Sequence, residues 1–77
     1  MTDKRQIREH MEVRAVDGAH IGTVDYMEAS DRIKLTKSDS PDGQHHIIPL
    51  DWVDHVDAHV HLTKNINDVH NQWETVP

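Results

Sequence analysis

Eight histidines in 77 residues are the chain's most unusual chemical resource, and they are dispersed along it instead of gathered in a run. His59 and His61 stand two apart in His59-Val60-His61-Leu62, so on a strand both imidazoles face one way while Val60 and Leu62 face the other. A third ligand from His55, Asp57 or the His45-His46 pair would complete an open zinc or nickel site, and His55, His59 and His61 form the preferred set. The competing reading is that these histidines merely furnish the solvated face of an amphipathic strand. His45 and His46 alternate faces, so at most one of them can join the others.

Protonation is the second chemistry on offer. The formal charge is -6 with histidine neutral, and the sequence pI is about 5.6. Histidines titrating near pH 6.5 would cancel most of that charge on acidification and favour self-association.

Enzyme chemistry finds no support: no nucleophile with a base, no carboxylate pair and no phosphate-cradling loop occurs at a recognisable spacing. Asp51, Asp54 and Asp57 recur every three residues, as a solvated acidic face does. The absence of cysteine excludes disulfides, thiolate metal sites and cysteine nucleophiles. The 14 acidic against 8 basic residues disfavour nucleic acid, whose best docking candidate would be Arg32, Lys34 and Lys37. Neither a membrane span nor an apolar leader is visible, so the expected setting is cytoplasmic, with no membrane insertion.

The elements that must position these groups are mostly strands. Met11, Val13 and Ala15 alternate with Glu12 and Arg14, Asp17-Gly18 supplies a hairpin turn, and residues 21–27 form the returning arm. Gly22 inside that arm marks a bulge, where the Asp25 carboxylate could accept hydrogen bonds. Arg32 to Lys37 is a third strand with Ile33 and Leu35 inward, and Ser38 to Gln44 is the longest exposed loop. His45 to Ile48 is a short strand that Pro49 ends or leaves at an edge.

Apolar residues at 50, 53 and 56 predict a single helical turn across a barrel end, capped by Trp52. After a reversal at Asp57-Ala58 and the His59–Leu62 strand, Ile66, Val69 and Trp73 fall at helical spacing behind Asn65, an N-cap. A short helix over residues 66–74, anchored by Trp73, is expected to dock on the barrel.

Asp17-Gly18-Ala19-His20-Ile21-Gly22-Thr23-Val24 resembles the D-G-x-x-I-G-x-V hairpin of PRC-barrel domains, and Ile48-Pro49-Leu50 with Val53 and Val56 resembles their later segment. With Ile7 to Met11 and His45-His46, the pattern is closest to a stand-alone bacterial subfamily regarded as a domain of unknown function. The resemblance covers roughly residues 7–62 and implies a small curved antiparallel sheet closed into a β-barrel, with interaction roles and no catalysis.

The combined expectation is a single domain, residues 1–77, with its core at about 7–63, a flexible 1–6, and a short helix and tail at 64–77. Its function would be that of a non-enzymatic interaction or adaptor module with a protein partner or a second copy as its target, docking at a rim near Pro49 and Trp52. The alternative is a metal-binding or pH-responsive accessory protein. Asp17, Gly18, Gly22 and Asp25 are assigned to the turn and bulge.

Overall fold

Short runs of Val, Ile and Leu alternating with polar residues dominate the chain, and the described residues form seven strands of three to ten residues. The computed structural model describes residues 6–76. In chain order these are β1 (Glu12–Arg14), β2 (His20–Ala29), β3 (Arg32–Leu35), β4 (His45–Pro49), a 3-10 turn (Leu50–Trp52), β5 (Val53–Val56), β6 (Val60–Leu62), α1 (Ile66–Gln72) and β7 (Glu74–Val76). The expected flexibility of residues 1–6 falls, apart from the exposed Gln6, outside the described residues.

Asp17-Gly18 turns the first hairpin as the sequence predicts. Gly18 takes a positive φ of 87°, its N–H donates to the Ala15 carbonyl at 2.9 Å, and the Asp17 carboxylate accepts from the Ala19 N–H at 3.1 Å. The returning strand β2 is long because it serves two neighbours, pairing with β1 in its first half and with β3 in its second. Register shifts show extra residues in β2 at Ile21, Asp25 and Glu28, and each such bulge adds bend and twist.

The strand order is β5-β6-β1-β2-β3-β4-β7. The expectation of a closed β-barrel is therefore overturned, because the sheet starts at β5, ends at β7 and does not join the two. It is not wholly antiparallel either, since β1 and β6 run parallel, with Val13 opposite Val60 and Arg14 opposite His61. A small barrel fills its interior with the side chains of its own strands. Here a helix residue enters instead: Val69 of α1 is fully buried and belongs to the same core as Val13, Val24, Ile33, Ile48, Val60 and Leu62.

Two further expectations need correction. The three-residue spacing of Leu50, Val53 and Val56 is helical only as far as Trp52, and Val53–Val56 is a strand. A register shift between Val53 and His55 lets Val53 and Val56 both face inward despite their odd separation. The C-terminal helix stops at Gln72, and residues 74–76 pair with β4 as β7. Its start is as expected, with the Asn65 side chain accepting from the Asp68 N–H at 2.8 Å.

Trp73 closes α1 by donating its backbone N–H to the Val69 carbonyl, and its ring stacks on His46 at 3.6 Å between centroids and 8° between planes. His46 is 1% exposed; its ring nitrogens contact Asp42 Oδ1 at 2.9 Å and Thr75 Oγ1 at 3.2 Å. This histidine is thus a structural joint between the 38–44 loop, α1 and β7.

Candidate metal centre

Register assembles the chemistry on the outer face. His55 of β5 lies opposite His61 of β6, His61 opposite Arg14 of β1, and Arg14 opposite His20 of β2. Four nitrogen-bearing side chains thus form one row across four adjacent strands, with Glu12, Asp39, Asp54 and Asp57 among them or at its ends.

At the β5–β6 end, ligand atoms of His55, Asp57 and His61 lie within 4.8 Å of one another. The two imidazoles stack almost parallel, 4.3 Å between centroids and 11° between planes. Asp57 reaches both rings, with Oδ1 2.9 Å from His61 Nε2 and Oδ2 3.9 Å from His55 Nε2.

Two of the three groups, His55 and Asp57, are braced from behind. Asp54 Oδ2 lies 2.8 Å from His55 Nδ1, so Nδ1–H donates to that carboxylate and the Nε2 lone pair is left for a metal. Asp57 accepts the His59 backbone N–H at 2.8 Å, the largest cause of a pKa below the ordinary carboxylate value, with the hydrogen bond from His61 adding to it. The carboxylate is consequently ionised and oriented before any cation arrives. Two imidazoles and one carboxylate suit zinc, nickel or copper, and three protein ligands on an open surface leave a coordination position free.

Of the expected set His55, His59 and His61, the first and third come together, and Asp57 takes the place expected of His59. His59 turns toward β1, its Nδ1 3.4 Å from Glu12 Oε1 and without a hydrogen-bond partner. The spacing argument placed His59 correctly on the face of His61, but their rings meet edge to face at 6.1 Å.

A second arrangement lies at the other end of the row. His20 Nδ1 is 2.7 Å from Glu12 Oε2, its Nε2 is 2.7 Å from Asp39 Oδ2, and the Thr23 hydroxyl donates to the same Asp39 oxygen at 2.6 Å. Hydrogen bonding to Glu12, then to Asp39, raises the His20 pKa, whereas Glu12 and Asp39 are lowered chiefly by His20 and by Thr23 respectively. No sequence spacing announces this group, because it joins residues 12, 20, 23 and 39 through the hairpin and the loop.

The remaining predicted positions are structural or separate. Asp25 is the extra residue at the β2–β3 bulge, not an acceptor at Gly22, and lies 3.8 Å from His45 Nδ1. Pro49 lines a groove of about 280 Å³ with Asp31, Arg32, Ile47, Gln72 and Glu74. Trp52 is outside that groove, half-buried against the core with Lys64 Nζ 5.3 Å from its ring centre.

The chain belongs to a bacterial family, DUF2171. Its family model, described as an uncharacterized protein conserved in bacteria, matches residues 7–70 and so takes in β1 through most of α1, including all three ligands of the candidate centre. No curated protein matches the chain. Among the described residues, no helix is long and apolar enough to cross a membrane.

Proposed function

We propose that this DUF2171 chain is a non-catalytic accessory protein that binds a divalent transition-metal ion, zinc or nickel, through His55, Asp57 and His61. One observation carries the reading: Asp54 fixes the His55 tautomer so that Nε2 faces Asp57 and His61, the second-shell arrangement that metal-bound histidines use. The chain carries a formal charge of -6, which favours cations, and two paired strands hold His55 and His61 while the turn between them holds Asp57.

The test is a thermal melt of the untagged chain at pH 7.5 with chelator, zinc or nickel, because a ligand of the native state must raise stability. Zinc or nickel should raise the melting temperature, and His61→Ala should abolish the rise. A melt unchanged by either metal refutes the proposal.

A second reading is an interaction module, placed in the cytoplasm, that docks a protein partner or a second copy. The hairpin at residues 17–24, with its resemblance to PRC-barrel domains, favours it. This reading expects a complex or dimer that survives chelator in size-exclusion chromatography with light scattering.

A further inference from the structure

The carboxylates on the two ring nitrogens of His20 come from different parts of the chain. Glu12 is on β1, in the body of the sheet, whereas Asp39 belongs to the loop between β3 and β4. Only an imidazolium can donate to both at 2.7 Å, since either neutral tautomer sets a nitrogen lone pair against a carboxylate lone pair. The loop's other anchor behaves differently. A neutral His46 satisfies both its contacts, donating from Nε2 to Asp42 and accepting at Nδ1 from the Thr75 hydroxyl.

From this contrast we infer that His20 is a protonation-dependent latch, which in its cationic form holds the Asp39 end of the 38–44 loop against the β1–β2 hairpin and on deprotonation lets that end go. The charged groups facing it are Glu12 and Arg14 from β1 and Asp39 from the loop. His59 of β6 approaches the same Glu12, and His70 of α1 lies across a groove that His20 also lines. Arg14 Nε holds Glu12 Oε1 at 2.9 Å, so Glu12 stays with the sheet, whereas Asp39 is left with the Thr23 hydroxyl alone and is the partner whose hold loosens.

The groove holds about 320 Å³ and is walled by His20, Ile21, Asp39, Pro41, Ile66 and His70, among others. Release of Asp39 removes one wall and opens it toward Ile21 and Ile66. The raised His20 pKa fixes the direction: the latch is fully made below the unfolded value of 6.5 and is lost as pH rises through the folded value. The device therefore closes as pH falls and opens as pH rises through the folded value, with about a tenfold change in the population of imidazolium per pH unit beyond the midpoint.

A pH titration by heteronuclear NMR on the full chain tests this, run on the wild type, Asp39→Asn and His20→Gln. The His20 ring should titrate above 6.5, the Asp39 and Ser40 amides should shift with the same midpoint, and amide exchange there should rise several-fold above it after correction for base catalysis. The Gln44 amide, held by Asp42, should not follow. Asp39→Asn should lower the His20 midpoint, and His20→Gln should remove the loop's transition. Loop amides that stay flat across the His20 midpoint, or a midpoint unmoved by Asp39→Asn, would overturn the latch.

Discussion

Replacing Trp73 with alanine tests how the C-terminal segment is held to the sheet. The indole packs against the core, stacks face to face on His46 and touches His70 at 4.7 Å. Full removal of a buried Trp costs about 3–5 kcal/mol, and a half-buried ring forfeits about half of that. Loss of the stacked pair adds about 1 kcal/mol, so the total is about 2.5–3.5 kcal/mol. A domain of this length has roughly 4–12 kcal/mol of stability in all, and the melting temperature should fall by roughly 10–20 °C.

The loss should also have a location. With the indole gone, one face of His46 opens to water, and the contacts it makes to Asp42 and Thr75 weaken together. Urea denaturation gives the magnitude, and hydrogen exchange should show lost protection over residues 66–76. Trp52→Ala serves as the comparison, since it removes similar area beside Lys64 but should leave α1 and β7 protected. A Trp73→Ala loss below about 1 kcal/mol, with exchange at 66–76 unchanged, would refute the reasoning.

Gly18→Val should destabilise the domain by about 1–2 kcal/mol through backbone strain alone, because nothing lies within 4 Å of a Cβ built there. Gly18→Asn should recover most of that loss in the same denaturation assay, since Asn tolerates positive φ. Asp42 is held down to about 2, first by the Ser40 hydroxyl and next by His46. Its contribution is complete above the ordinary value of 3.8 and lost as pH falls through about 2, so Asp42→Asn should flatten the acid limb of a circular-dichroism titration in that window. His59→Ala should keep the metal-induced rise in melting temperature that His61→Ala loses; loss of the rise in both would return His59 to the ligand set.

The Asp17-Gly18 turn, the inward sides of β1 and β3, the Asn65 cap and the shared face of His59 and His61 were legible in the sequence. Each rests on a period of two, a positive φ or a single capping side chain, all of which are local. The β5 strand was hidden because its bulge gives Val53 and Val56 a helical spacing while both face the core. β7 was hidden because Glu74-Thr75-Val76 is too short to show a period, and it becomes a strand only through its pairing with β4. His46 illustrates the same limit, since its burial depends on Trp73, which lies far along the chain.

By itself the sequence determined a small domain made chiefly of strands, without cysteine chemistry, with a surplus of acid and a stock of histidines. Tertiary structure alone decided that the sheet stays open, that α1 supplies Val69 to the core, and that β1 and β6 run parallel. It also decided which of the candidate groups lie together, because the turn geometry and cross-strand register bring Asp57, and not His59, beside His55 and His61. Local periodicity fixes which way a side chain points from its own strand, whereas its neighbours depend on which strands pair and where bulges shift them.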